Sequence, residues 1–466
     1  MADVILINPA YNNIIYSEAK IKAGVPVNPL LNLALLAAEP VKAGIATEIW
    51  DLNLVSDPDE FVKREIQAKK PRLVGITFTT PLFAESVRLA EIIKAIDKTI
   101  VLVAGVPHAT TFPMEVLKNS SFDVVAVGEA DFIITKLLNL PFKEIEGIVF
   151  KEGSEIIATP EAERMDNLDN LPFPAWHLYD LNKYNRPSLS NKASPPGYLE
   201  TSRGCPWGCV FCNKNIQGKK FRPKSVKRVV DEIAYMLKAG FKEINFLDDT
   251  FSTDLNRAKL ICEEIIRRGL KFPWHPLNGM RVDRVDSELF SLMKESGCYK
   301  VSFGIESGNQ EILDRINKGI KLEQVIRAVK LAKAEGFETF GYFMLGLPGE
   351  TERTMKETVR FAKKLKLDMA KFNITIPLPG TEIFKEWDEK GCIKTKDWAK
   401  YNFYAPYEEI YEHPTVPHSV LNNCFRKAYL SFYFDPAFIL RRFIGGINRG
   451  VLVRDIKLFF KTSWFN

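Results

Sequence analysis

Histidine and cysteine are scarce in this chain: five His and seven Cys among 466 residues. Four of the cysteines, Cys262, Cys298, Cys392 and Cys424, stand alone, and the count is odd. That pattern builds no disulfide framework and suits a reducing compartment, so a cytoplasmic protein is expected. Long apolar runs are missing as well, which argues against a bilayer-spanning helix. The start, MADVILINPAYNN, has neither a basic n-region nor a small-residue cleavage site, and reads as a first strand rather than a signal peptide. Charge of one sign is also lacking. The net charge is +6, with Lys and Arg interleaved among Asp and Glu, as on a solvated surface. No nucleic-acid partner is expected. A Gly-rich turn after the first strand is absent too: Asn8-Pro9-Ala10-Tyr11 stands there, which argues against a dinucleotide fold.

What is present is alternation. Residues 1–142 read as five strands (DVILINP, ATEIWDL, RLVGITFTT, TIVLVAGVP, FDVVAVGEA) separated by helical patterns, although Pro40 interrupts the first of these. The strands are apolar throughout, as in a parallel sheet covered on both faces. Ligands of such sheets bind beyond the strands' carboxyl ends. Here those ends carry Thr77 to Thr80, Gly105 to His108, and Gly128-Glu129. A lone loop histidine such as His108 is more often a hydrogen-bonding residue than a metal ligand. Residues 143–193 hold a hairpin, EGIVFKEGSEIIATP, and a Pro- and Asn-rich crossover with little Gly, suited to an ordered linker.

Residues 194–400 begin with GYLETSRG and run directly into CPWGCVFCNKN, placing Cys205, Cys209 and Cys212 at Cys-x3-Cys-x2-Cys spacing. Thiolates at this density suit zinc or an iron–sulfur cluster. Structural zinc wants four ligands, and no fourth Cys or His is near in sequence. A 4Fe–4S cluster held by three cysteines instead keeps one iron open for a substrate or cofactor. Five more strand–helix units follow (KEINFLDDT, KFPWHPLNG, YKVSFGIESG, FETFGYFMLGLPG, DMAKFNITIPLPG), completing a partial β/α barrel of six strands. Barrel chemistry sits at the strands' carboxyl ends. There lie Asp248, Asp249, Asn278, Arg281, Glu306, Ser307 and Glu350, with Gly346, Gly349 and Gly380. Asp248, Asp249 and Glu350 have a plain alternative as helix caps. Glu306, in an otherwise apolar strand, needs a partner.

The cysteine spacing at a strand end, with Phe211 before the last Cys, resembles the signature of radical S-adenosylmethionine (SAM) enzymes. The resemblance implies that the open iron chelates SAM, that one electron breaks its bond to the 5′ carbon, and that the resulting 5′-deoxyadenosyl radical abstracts hydrogen. It implies a SAM site with Phe211 beside the cluster, Asp249 near the amino group, Arg281 near the carboxylate, and Glu306 facing the ribose or methionine part. Gly346 to Gly349 would lie under the adenine. The first domain resembles the cobalamin-binding domain that precedes many of these enzymes, with Thr77, Gly105, His108, Gly128 and Glu129 as its implied contacts. It lacks Asp-x-His-x-x-Gly, so cobalamin would bind without a lower-face histidine. Residues 401–466 turn aromatic and basic. They read as a cap packed on the barrel, or as amphipathic helices on a membrane surface, and resemble the tails of cyclase-like and lipid-modifying members.

The expected fold is α/β: a Rossmann-like, flavodoxin-type parallel sheet, a partial (β/α)6 barrel and a small helical cap. The expected activity is cobalamin-dependent methylation of an unactivated carbon on a small-molecule or lipid-like substrate, with ferredoxin or flavodoxin as electron donor. Radical cyclisation or carbon–carbon coupling of a lipid or tetrapyrrole is the alternative. A non-catalytic zinc or iron–sulfur binding protein is a third.

Overall fold

The computed structural model describes residues 2–15, 27–185, 191–402, 406–448, 452–453 and 456. The remainder of the expected aromatic–basic tail lies outside the described residues.

The first sheet has seven strands: β1 (Val4–Asn8), β2 (Thr47–Asp51), β3 (Leu73–Phe78), β4 (Val101–Pro107), β5 (Val124–Ala126), β6 (Ile148–Glu152) and β7 (Glu155–Ala158). Their order is β2-β1-β3-β4-β5-β6-β7. The first five are parallel in the flavodoxin arrangement, as expected. All five residues of β1 are buried, because two separate apolar clusters cover its two faces. The hairpin β6–β7 corrects the sequence-based boundary. It joins β5 antiparallel and closes the sheet's edge instead of linking domains, since the strand β5 would otherwise present unpaired amides. Pro40 does not end its helix, which runs Leu31–Lys42 with the proline in the last turns.

The barrel strands are β8 (Pro196–Leu199), β11 (Glu243–Phe246), β12 (Trp274–Pro276), β13 (Lys300–Glu306), β14 (Glu338–Leu345) and β15 (Met369–Ile374). Between β8 and β11 come two short strands, β9 (Ser202–Arg203) and β10 (Arg222–Pro223), paired antiparallel. The six barrel strands run parallel in chain order, with isolated bridges at Trp274–Cys298 and Met280–Phe303 joining β12 to β13. The helices between them follow from ordinary signals. Val226–Ala239, for example, starts at Ser225, whose hydroxyl accepts from the Arg228 amide, and ends at Gly240 with φ 112°. It buries Val229, Val230, Ile233 and Met236 on one face.

The partial barrel leaves β15 with an open edge, and the tail closes it. On the helix His418–Tyr433, the Tyr429 hydroxyl accepts from the Phe372 amide (3.3 Å) and donates to its carbonyl (3.0 Å). The Tyr433 hydroxyl does the same for Ala370 at 3.1 and 2.7 Å. Two side chains four residues apart thereby stand in for a neighbouring strand. This helix is the cap expected from the sequence. Among the described residues no helix is long and apolar enough to cross a membrane.

Candidate functional site

The carboxyl ends of the two sheets meet, and the cysteine loop lies at that junction. It leaves the barrel through β9 and returns through β10, so its base is the Arg203–Arg222 pair. Cys205 and Cys209 are half-buried and Cys212 is exposed. The loop's backbone is fixed from both sides: the Val210 amide donates to the Ile316 carbonyl at 3.2 Å, and the Val210 carbonyl accepts from the Ile383 amide at 3.2 Å. Burial, then the Asp249 carboxylate and the Cys205 thiol, push the Cys212 thiol up to about 11. Burial raises Cys205 as well. Ionising these crowded cysteines beside a carboxylate calls for a cationic centre, and this donor set fits a 4Fe–4S cluster. Asp249 is itself raised, by burial and by Glu200, with Lys214 opposing.

Asp248 does different work. Its carboxylate accepts from the Thr201 amide (2.6 Å) and hydroxyl (2.6 Å) and from the Ser202 amide (2.8 Å), tying the start of the cysteine loop to β11. Neither aspartate caps the next helix, because Asp254 takes that position. Glu306 sits where β13 bulges against β14, with φ 66°. It has the partner the sequence demanded: Lys318 Nζ lies 2.9 Å from Oε1, and the Lys318 ammonium lies 5.8 Å from the Phe211 ring. Gly304 makes this possible, since a Cβ there would come within 2.7 Å of Glu306 Oε1.

The structure moves three sequence assignments. Arg281 was expected at the SAM carboxylate, yet four of its donors go to Asp283 (3.0 and 3.2 Å) and to the Lys318 (2.8 Å) and Gly319 (3.2 Å) carbonyls. Its guanidinium stacks on Trp207 at 4.2 Å, so it braces the cysteine loop. His108, expected in the cobalamin crevice, points away into Phe78, Phe83, Phe112 and Trp398. Burial lowers it to about 4. Glu350 is no helix cap, since Thr351 fills that role. Instead its Oε2 accepts from the Gly346 (2.7 Å) and Leu347 (3.0 Å) amides, closing the loop over Gly346 and Gly349. His413 from the cap bonds the Gly346 carbonyl at 3.0 Å.

Thr77, Gly105, Gly128 and Glu129 do converge, lining one open cleft. Leu6, Leu33, Ile76 and Val103 make its floor apolar. A Cβ on Gly105 or Gly128 would meet nothing within 4 Å, so both backbones face open space. An apolar cleft bounded by bare backbone fits a large flat ligand such as cobalamin. Barrel residues Glu200, Arg203 and Gln217 form its far wall.

Sequence reasoning missed the clamp at that wall. Arg203 meets Asp131 bidentately (2.6 and 2.9 Å), Glu200 at 2.8 Å and Glu129 at 3.2 Å. Arg222 also binds Glu129, through Nη1 and Nη2. Arg203 is 5% exposed and Arg222 2%. Glu129, placed by the sequence among cobalamin contacts, thus holds both ends of the cysteine loop from the first domain. Asp131 stays below the usual carboxylate range because the Arg203 guanidinium outweighs its burial. Two arginines bracketing the cysteine run were the available signal.

Comparisons with known proteins agree with this arrangement. The family model for the radical SAM superfamily matches residues 199–362, and that for the B12 binding domain matches residues 27–138. An uncharacterized methyltransferase of Pyrococcus horikoshii is 34% identical over 458 residues, covering 93% of this chain and 96% of its own. An anaerobic magnesium-protoporphyrin IX monomethyl ester cyclase of Rubrivivax gelatinosus is 29% identical over 440 residues, covering 91% of this chain and 77% of its own. In fold, the chain is similar to the radical SAM methyltransferase TsrM of Kitasatospora setae, solved with cobalamin and a 4Fe–4S cluster bound. That match has a TM-score of 0.69 at 20% identity, over 84% of this chain and 75% of the other. The chain belongs to the radical SAM superfamily, and it is an enzyme of the cobalamin-dependent kind, with a 4Fe–4S cluster, SAM and cobalamin as its cofactors.

Proposed function

We propose that this enzyme methylates an unactivated carbon of a small-molecule substrate held between the two mouths. One observation carries the reading: in a single chain, a loop of three cysteines is clamped through Arg203 to the wall of an apolar-floored cleft in which Gly105 and Gly128 border open space. The cluster with SAM supplies a carbon radical, and cobalamin supplies the methyl group. Cys205, Cys209 and Cys212 hold the cluster. Asp249 accepts from the SAM amino group. The Glu306–Lys318 pair behind Phe211 offers one fixed charge of each sign to the rest of SAM, and Glu350 holds the Gly346–Gly349 loop under the adenine. Thr77, Gly105 and Gly128 leave room for the macrocycle. The stacked Arg281–Trp207 pair and the Glu129 clamp keep the cysteine loop at a constant distance from the cleft, and the Tyr429–Tyr433 edge excludes water from one side of the barrel. A low-potential donor such as ferredoxin or flavodoxin provides electrons, in the cytoplasm, where the four cysteines outside the cluster stay reduced.

The test is anaerobic reconstitution with cluster, cobalamin and SAM carrying a deuterated methyl group. A methylase yields S-adenosylhomocysteine beside 5′-deoxyadenosine and passes the label to a metabolite of a cell extract. Formation of 5′-deoxyadenosine alone would favour cyclisation or coupling, and neither product would leave a binding protein.

A further inference from the structure

The helix Pro436–Asn448 is only half used by the fold. Its inward side carries Phe438, packed on Phe432 and Tyr433, and Arg442, bonded to Glu338 at 2.7 Å. The opposite side presents Ile439, Leu440, Phe443, Ile444 and Ile447, each between 48% and 62% exposed. Val453 and Ile456, later in the chain, are exposed as well. The other exposed large hydrophobics among the described residues (Met114, Leu140, Leu260, Ile326) are scattered, so the apolar surface is concentrated here. Their spacing forms one stripe along a helix.

A second observation says what covers the stripe. Beside the helix runs a shallow cleft lined by Lys333, Lys366, Asp368, Arg441 and Arg442; Arg442 faces inward and neutralises Asp368 and Glu338, while Lys333 and Lys366 are exposed. From Pro436 to the last residue the sequence holds six Lys or Arg against a single acid, Asp455. Another copy of this chain would set those cations against their own kind. We propose that this helix docks on an anionic bilayer surface, its apolar stripe entering between acyl chains while the lysines and arginines meet lipid phosphates. The contacts with Glu338 and Asp368 put the helix at the amino ends of β14 and β15, opposite the cysteine loop. The surface is therefore a tether that leaves the mouth and the cleft turned away from the lipid, and binding is separable from catalysis.

Sedimentation of the full chain with vesicles tests this independently of activity. Vesicles containing phosphatidylglycerol should carry the protein down, phosphatidylcholine vesicles should carry far less, and added salt should weaken the former. Leu440→Glu with Phe443→Glu, and separately Lys333→Glu with Lys366→Glu, should each reduce the bound fraction about tenfold with the melting temperature unchanged. The same charge change on the first domain, Lys63→Glu with Lys118→Glu, should leave binding intact. The proposal is overturned if phosphatidylglycerol vesicles bind nothing, if the helix variant binds as wild type does, or if the first-domain control loses as much. It is also overturned if the free protein forms a dimer that Leu440→Glu with Phe443→Glu abolishes.

Discussion

The two mouths that face each other in this molecule are built on opposite plans. At the barrel, charged side chains crowd the strand ends and nearly all are paired: Glu306 with Lys318, Arg281 with Asp283, Asp248 with the Thr201 and Ser202 amides. At the first sheet the strand ends are stripped, with Gly105 and Gly128 bordering open space. A cluster and a charged sulfonium need donors and fixed charges, whereas a macrocycle needs volume and close backbone. One plan reads a ligand by what is there, the other by what has been removed. Glu129 crosses between them, taken from the bare side to hold the crowded one.

The contrast breaks most completely at the thiols. Cys205, Cys209 and Cys212 changed together to Ala should abolish iron–sulfur absorbance and all SAM cleavage while hydroxocobalamin is still retained through desalting. Cys262 and Cys298, fully buried thiols, should be replaceable by Ala with the absorbance intact. The reciprocal change is Gly105→Trp, which fills the cleft. It should eliminate cobalamin retention and leave the cluster and 5′-deoxyadenosine formation in place. A Gly105→Trp protein that keeps cobalamin would move the site elsewhere.

Glu129→Ala attacks the connection. It strands the buried Arg222, whereas Arg203 keeps Asp131 and Glu200, and breaking a buried pair from one side costs roughly 3–5 kcal/mol. Denaturant melts should show that loss, and methylated product should fall further than 5′-deoxyadenosine does, since the loop's distance from the cleft is no longer held. Equal falls in both products would make the clamp a matter of stability alone.

How much of this was legible follows the same division. Cys-x3-Cys-x2-Cys is read from local spacing, and the β/α alternation from hydrophobic runs, so the cluster loop, the strand order of the first sheet and the six-stranded barrel all came from sequence. Side-chain direction did not. Arg281 and His108 stand at the right strand ends, but whether a guanidinium faces a ligand or Asp283, and whether an imidazole faces a cleft or Trp398, is decided by residues distant in the chain. The same holds for hairpin β6–β7, whose partner strand is chosen by the sheet's need for an edge. Arg203, Arg222, Asp131 and Lys318 were passed over because each gains meaning only from its tertiary partner.

Glu306→Gln sharpens the crowded plan with a smaller effect. The amide keeps the shape and a bond to Lys318 but removes the charge. Loss of one charge-assisted hydrogen bond is worth roughly 1.5–3 kcal/mol, so SAM should bind cluster-loaded protein about ten- to a hundredfold more weakly in calorimetry. The absorbance should not change, as the residue touches no iron. Unaltered SAM affinity would mean that Glu306 serves only to hold Lys318 under Phe211.

The gentlest test lies at Glu350, a mouth carboxylate that accepts from the Gly346 and Leu347 amides. Burial pushes it up to about 8, although the Gly346 and Leu347 amides pull the other way. Its Oε1 has no partner among the described residues. The fold thus prefers the protonated acid, whereas in the unfolded chain the group ionises near its ordinary value of 4.5. Between those two values the folded state holds a proton that the unfolded state has released. Stability from this group is complete below about 4.5, declines as pH rises, and levels off above about 8. The slope inside the window approaches 1.4 kcal/mol per pH unit, or about tenfold in the folding constant. Glu350→Gln mimics the protonated form, keeping a carbonyl for both amides. Urea midpoints measured near pH 6 and near pH 8 should therefore fall for wild type and stay closer together for the variant. If wild type and variant decline in parallel, Glu350 is ionised in the folded protein, and its loop is held by a charge after all.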